Sequence, residues 1–596
     1  MKSLAIIIGC IVFFTIGCNK DFLDKAPGVD FTEDDIFKNR VGIETFIPTI
    51  YAYNVPPMFA HISMMQLASP VPISNQYAAP LYPTYTMCDE ADESAQLYQS
   101  GSLVNNGNIT PQNVFPSIDA RYYIRWVGLR HINTMLERIN EVPDADEAYK
   151  AQITGEMHVL RALTYLDMIK RYGGVPIVDS VFEPGVKFSK PRNSIEDCVN
   201  FIVKECDLAI ANTALPPSFS GSQTGRAGKL VAYCVKEKAL LFAASPMFNT
   251  ATPYLSMADP ADNKLICYGN YDENRWKLAA DAAREALDYA LANGYGLIDD
   301  MAADPDDVPG SNELGPVGNY RYAWEVNNNK EIILAYNGPV TDKNNRPGNQ
   351  MIPQAFPAGW VNAVSVPLNF YSKYERKVDG SPESWDLAGG DDLLEKIAEL
   401  DPRFKQTFIY TLSYFTGAYP SAQIYNGGSN YNYCLGGVFL NKYTPSYATE
   451  KQFLLNDVVF RVNELYLDYA EALNESAGPT GDAYKAVNTI RARSAMPALP
   501  ENLSKDQFRE RVRNERAVEL AYDNQRFFDI RRWLIAEQDG VMQGDFWGIH
   551  INKTGPMKFS WTPYVFEKRT FFKKMYLNPF PYNEILKGDL VQNPGY

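Results

Sequence analysis

Apolar side chains recur at helical spacing along most of this chain. They mark a helical lead-in from Phe31 to Tyr53 and a first pair of helices over residues 118–140 and 147–172. The second of that pair is apolar almost all round from Met157 to Ile169, which places it between neighbours, and Gly173-Gly174 ends it before a short extended VPIV. Residues 194–212 and 226–248 form another pair, with Pro246 near its end. Trp276, Ala279, Ala280, Ala283, Leu287, Ala290 and Leu291 then fall at steps of +3, +4, +7, +11, +14 and +15, a stripe of small residues closed by Gly294. Val459, Val462, Tyr466, Tyr469, Ala470 and Leu473 make one more stripe. Ala483, Ala486, Val487 and Ile490 make the next, with Pro497 beyond. Helical hairpins repeated in this way, with Ala and Tyr at tight positions, predict a mainly α fold with tetratricopeptide-like stacking, although no strict 34-residue consensus is present.

Three stretches break the rhythm. Residues 55–113 are rich in Pro, Ser, Asn, Gln and Tyr and read as long loops that include the acidic CDEADE at Cys88 to Glu93. Residues 295–456 are rich in Gly, Pro, Asn, Asp and Tyr, include NGGSNYNYCLGG around Tyr431, and are expected to form a large irregular subdomain. Residues 538–575, with Trp547 and Trp561, read as a further irregular stretch.

Residues 505–533, KDQFRERVRNERAVELAYDNQRFFDIRRW, organise the rest. Ser504 and Gln507 fit a capping box, and Phe508 and Val512 open an apolar stripe that brings Glu515 and Glu519 onto the same face. Buried carboxylates need partners. Arg511 and Arg516 are near, and Asp523, Arg526, Asp529 and Arg532 follow at i,i+3 steps. A catalytic reading makes Glu515 and Glu519 an acid/base pair; the structural reading, which the alternating charge favours, is an ionic seam of Glu515, Glu519, Arg526, Asp529 and Arg532 joining this helix to its neighbours.

Composition narrows the function. With 596 residues, 46% hydrophobic and 21% charged, the chain has enough apolar surface for a substantial core. A formal net charge of −15 argues against nucleic acid as partner. Eight cysteines without a CxxC pair and four histidines without HExxH spacing mark no metal site. Asp299, Asp300, Asp304, Asp306 and Asp307 could offer oxygens to calcium, but their spacing is not that of an EF-hand and a solvated acidic loop fits them better, so no cofactor is expected. At the start, Lys2 and the apolar run from Leu4 to Ile16 read as a secretory signal over residues 1–17, and Thr15-Ile16-Gly17-Cys18 as a lipidation site at Cys18.

The string NERAVELAYDNQRFFDIRRW resembles the C-terminal signature of the SusD/RagB family, surface glycan-binding lipoproteins that partner TonB-dependent transporters. GEMHVLRALTYLDMIKRYGGVPIV, FRVNELYLDYAEALNE and YLNPFPYNEIL followed by QNPGY look like further blocks of it. The resemblance implies a single domain over residues 18–596: a helical-repeat scaffold at about 31–294 and 457–537 and an irregular ligand-facing subdomain at about 295–456, with added loops at 55–113 and 538–596. It also implies an outer-membrane, lipid-anchored, cell-surface protein that takes an oligosaccharide, delivers it to a SusC-like transporter, and makes or breaks no bond. The family often carries an Asp-Glu like that of CDEADE near its binding face.

Sugar rings need flat aromatics for their C–H faces and amides or carboxylates for their hydroxyls. Trp126, Trp276 and Trp533 sit in helical patterns and read as core. Trp360 and Trp385, in Gly/Pro-rich loops, are the leading stacking candidates, followed by Tyr320, Tyr322 and Trp324 before EIIL, then Tyr82 and Tyr85. Peptide cargo in the same role and a surface glycoside hydrolase are the competing readings; no catalytic motif marks the second.

Overall fold

Each long helix packs on the next one along the chain, because each buries an apolar stripe against its neighbour even where the connection between them is long. The computed structural model describes residues 33–56, 84–93, 99–182, 190–305, 318–336, 339–340, 364–414, 421–431, 434–443, 453–454 and 456–596. Its longer helices begin with α1 (Arg40–Asn54), α2 (Tyr122–Arg138), α3 (Glu147–Tyr172), α4 (Ile195–Ala211), α5 (Lys229–Ala244) and α6 (Asn274–Ala292). They pack as α1 on α2, α2 on α3, α3 on α4, α4 on α5 and α5 on α6.

Local chemistry fixes the ends. The Asp146 side chain accepts from Tyr149 N–H to start α3, and Gly173 at φ 73° stops it. Ser194 and Asp197 form a capping box on α4.

The stack then skips the irregular region. α6 packs on α8 (Val462–Ala477), which packs on α9 (Gly481–Arg493) and α10 (Lys505–Glu519). The short α7 (Asn319–Glu325) and strands β1 (Asp92–Glu93), β2 (Ile332–Tyr336), β3 (Pro339–Val340), β4 (Val364–Ser365), β5 (Phe408–Ile409), β6 (Phe439–Leu440), β7 (Phe453–Leu454) and β8 (Asp457–Arg461) belong to the region laid over it. β2 pairs antiparallel with β8, and β3 with β7, in two separate two-stranded ladders, so the chain leaves for residues 341–452 and returns beside its own exit. β8 runs directly into α8, with Val462 N–H donating to Glu331 O at 2.9 Å. An insertion that enters and exits side by side leaves the helical stack unbroken. This is a mainly α, tetratricopeptide-like scaffold carrying a loop-rich subdomain.

α10 belongs to two cores at once. Phe508 and Val512 pack with Tyr469, Ala483 and Val487 of the scaffold. Ala517, Val518, Ala521 and Tyr522 pack with Phe370, Phe404, Phe408, Phe439 and Trp561 of the loop subdomain. The helix stops at Glu519, earlier than a continuous reading of 505–533, because Tyr522 and Asn524 adopt φ of 63° and 61°; α11 (Arg526–Arg532) restarts beyond them.

Residues 538–575 are also not irregular. They hold β9 (Gly544–Gly555) and β10 (Lys558–Arg569), a long antiparallel hairpin turning at Pro556-Met557, with Ile549, Ile551, Phe559 and Trp561 turned into the subdomain core.

Candidate ligand-binding face

The joint between scaffold and loop subdomain is ionic. Arg403, fully buried, donates Nη1 to Glu515 at 2.6 Å and to Glu519 at 2.9 Å, and Nη2 to Asp401 at 2.6 Å. Arg491 adds a bond to Glu515 at 2.8 Å, while Arg493 and Asn463 hold Glu519. Burial pushes the Glu519 carboxyl up, but Arg493, Arg403 and Arg461 outweigh it and leave it at about 2. Lys442 lies 2.6 Å from Asp523; Arg516 and Arg532 share Asp529 at 3.0 and 2.8 Å, and Arg532 pairs with Glu471 at 2.5 Å. Every carboxylate here faces a guanidinium or ammonium, with no gap between Glu515 and Glu519 for a substrate; Arg403 fills it.

The same segment clamps the early acidic stretch. Arg526 bonds both oxygens of Asp89 at 2.8 Å; Tyr522 N–H donates to the Glu90 carboxylate, and its hydroxyl to Glu90 O, at 2.8 Å each. Arg569 holds Cys88 O at 2.7 Å and Ala91 O at 3.0 Å. Asp92 and Glu93 then pair antiparallel with Ser365 and Val364. Val364 follows the segment that bears Trp360, and Glu93 precedes residues 94–98, so the pairing joins the chain just after the one to the chain just before the other.

Burial drives the Glu90 carboxyl up to about 8, against the pull of the Tyr522 N–H and with Asp89 adding to the rise. A carboxyl raised in the folded state contributes its full stability below its unfolded pKa of about 4.3 and loses it as pH climbs through the folded value. Glu90→Gln keeps the acceptor for Tyr522 and removes the titration. It is expected to melt above wild type at pH 8, with the gap closing by pH 5; equal gaps at both pH values would refute the assignment.

The aromatic candidates separate by burial. Trp385 is half-buried on its loop, edge-on to Tyr371 and Trp561 at 5.4 and 5.3 Å, with Lys396 Nζ 5.8 Å from its ring. Tyr322 is half-buried on α7. Tyr320, Trp324 and Tyr85 are buried and offer no face in this structure: α7 packs on the helix of Arg403, where Tyr320 OH accepts from Lys442 and Trp324 sits by Tyr443, while Tyr85 packs edge-on to Tyr522 at 5.3 Å. These rings are core of the loop subdomain. Trp360, Tyr82 and Cys18 lie outside the described residues. Trp126, expected in the core, is half-buried and lines a surface cavity with Tyr123, whereas Trp276 and Trp533 are buried. In the aspartate run, Asp299 pairs with Lys330 and Asp304 with Lys377, Asp306 and Asp307 are outside the described residues, and no cluster of metal-binding side chains occurs among the described residues.

One aromatic group was not anticipated. His550 of β9, exposed, stacks on Tyr564 of β10 at 3.9 Å and 6°, and its Nδ1 lies 2.9 Å from the Tyr431 hydroxyl. Asn426 and Asn552 lie beside it, bonded at 3.3 Å. The missed signal was the period-two alternation of the hairpin.

Two family models match the chain: the SusD family model over residues 330–596, and one described as starch-binding associating with outer membrane over residues 62–239. A SusD-like protein of Bacteroides ovatus is 22% identical over 555 residues, 89% of this chain and 83% of its own length. A SusD-like protein of Formosa agariphila is 22% identical over 452 residues, 72% of this chain and 74% of its own. Among solved structures, a SusD-like protein from Bacteroides fragilis superposes with a TM-score of 0.72 over 96% of this chain and 100% of its own, at 24% identity. A laminarin-binding SusD-like protein does so with a TM-score of 0.55 over 94% and 100%, at 20% identity. The superpositions carry the fold, and the family models fall on both the scaffold and the clamped acidic stretch described above: the chain belongs to the SusD/RagB family.

Proposed function

We propose that this chain captures an oligosaccharide at the outer membrane surface, anchored through a lipid on Cys18, and passes it unchanged to a SusC-like TonB-dependent transporter. The observation that carries the reading is the pairing of Asp92 and Glu93 with Ser365 and Val364, which joins the acidic early stretch to the chain just after the segment that bears Trp360. The chain on both sides of that pairing is fixed by the sheet and by the buried ionic joint, so a ligand bound beside it is spared part of the cost of ordering it. The starch-binding, outer-membrane description of one family model and the laminarin-binding relative support a carbohydrate ligand. Capture without chemistry fits a seam whose carboxylates are all neutralised by arginine or lysine.

Isothermal titration against neutral oligosaccharides and peptides tests this reading. Trp360→Ala is expected to weaken glycan binding about tenfold or more, and Trp385→Ala, whose ring is already part-packed, by less. Release of reducing ends from the glycans would replace the reading by hydrolysis. Heat on peptide addition alone would replace the cargo.

A further inference from the structure

A cleft of about 410 Å³ opens between two parts of the scaffold, the 212–228 loop joining α4 to α5 and Gly294 with Tyr295 at the end of α6, and residues 328–330 ahead of β2 in the region laid over it. That volume lies in the ~300–1,000 Å³ range of small-molecule sites. Its walls are held from behind. Lys229 and Leu230 donate N–H groups to Pro216 O and Pro217 O at 2.9 and 3.1 Å, and Gly296 N–H donates to Lys330 O at 3.0 Å. A Cβ at Gly228 would lie 2.5 Å from the Pro217 carbonyl oxygen, so the loop seats on α5 only with glycine there. The cleft therefore exists before anything enters it, and a ligand is spared the cost of ordering it.

Its polar groups fall into two sets. The charged ones are engaged: Arg226 bonds both oxygens of Glu156 at 2.5 and 2.8 Å and lies over the Phe219 ring at 5.0 Å, and Lys330 bonds Asp299 at 2.6 Å. Asn329 is also engaged, donating to Ala323 O and Val326 O and accepting from Glu331 N–H. By contrast, the hydroxyls of Ser218, Ser220 and Tyr295 and the Asn328 amide make no hydrogen bond among the described residues. Ser218, Ser220 and Asn328 are exposed, while Phe219 and Tyr295 are half-buried.

Two ring faces set among open hydroxyls and an amide match the C–H faces and hydroxyls of a sugar. An ion would find no open counter-charge, and an apolar side chain would leave the polar groups unpaired. We propose that this cleft is a second carbohydrate site, taking one or two rings of a neutral oligosaccharide apart from the loop face. It shares with the proposed function only the class of ligand.

The test is titration of the whole chain with malto-, laminari-, xylo- and mannohexaose. Tyr295→Ala removes a ring; Asn328→Gly removes the amide and keeps a backbone at φ 57° that glycine adopts freely. In a Trp360→Ala background each is expected to weaken the remaining binding about 3- to 10-fold, with unchanged thermal melts for Asn328→Gly. If both cleft variants bind as wild type and Trp360→Ala abolishes binding, the cleft proposal falls and the loop face stands. If the cleft variants abolish binding that Trp360→Ala leaves intact, the cleft stands and the loop face falls. A chain that binds none of the hexaoses overturns both, and tighter binding of trigalacturonate that Tyr295→Ala removes overturns the neutral class.

Discussion

Arg403→Ala is expected to cost about 3–5 kcal/mol of folding stability, because it strips the shared counter-charge from Asp401, Glu515 and Glu519 and leaves three carboxylates in a buried site. The loss is not the worth of the ion pairs themselves, which roughly offset their own desolvation. It is the penalty of orphaned charge. Arg403→Lys is expected to recover little, since one ammonium cannot match a guanidinium that spans Asp401 on one edge and Glu515 with Glu519 on the other. Denaturant titration by circular dichroism reads the difference. An exposed control, Lys277→Ala, breaks the i,i+4 pair with Asp281 at 3.2 Å and should leave the midpoint unchanged. Equal, small effects of Arg403→Ala and Lys277→Ala would remove the seam from the account of stability.

Acid is expected to unfold the chain between about pH 4.5 and pH 2. Glu519, at about 2 in the folded chain, stabilises it fully above the unfolded glutamate value of about 4.3 and ceases to do so as pH falls through the folded value. Burial raises Glu515, Asp523, Asp529 and Asp89, yet Arg403 for Glu515, Arg461 for Asp523, Arg516 for Asp529 and Arg526 for Asp89 hold each below its ordinary range, so all four act in the same direction. Glu90 and Glu464, raised by burial, gain their stabilising effect as pH falls towards the unfolded glutamate value, and below it they no longer change the slope. Because the pairs are buried, 0.5 M salt should shift the acid midpoint little. Melting temperatures that stay level from pH 5 to pH 2 would contradict the ionic assignment.

The helices were legible because their evidence is local. The Asp146 cap, the apolar circumference and Gly173-Gly174 delimit Glu147–Tyr172 at the boundaries read from the sequence, and the Ser504–Gln507 capping box starts α10 as expected. Partner choice was not local. The i,i+3 run from Asp523 to Arg532 implied a ladder along one helix. The left-handed turn at Tyr522 and Asn524 breaks that line, and Glu515 and Glu519 find Arg403, Arg491 and Arg493 across the fold instead. The aromatics show the same limit. A Gly/Pro-rich context put Tyr320 and Trp324 in loops, but the short α7 folds them inward, and nothing in their neighbours announces that. The β9–β10 hairpin was hidden by its glycines, threonines and Pro563, which mask the alternation of Phe559 and Trp561.

The clamp between the CDEADE stretch and the α10–α11 turn joins Asp89 to a guanidinium 437 positions later. At translation rates of about 5–20 residues per second, that carboxylate waits roughly 20 to 90 seconds for its partner to be synthesised. The nascent chain cannot close its loop subdomain one piece at a time, and a truncation before residue 515 leaves scaffold and subdomain without a common fastening. In a chain assembled in this order α1 to α6 can pack as they emerge, and the subdomain is the last part to close.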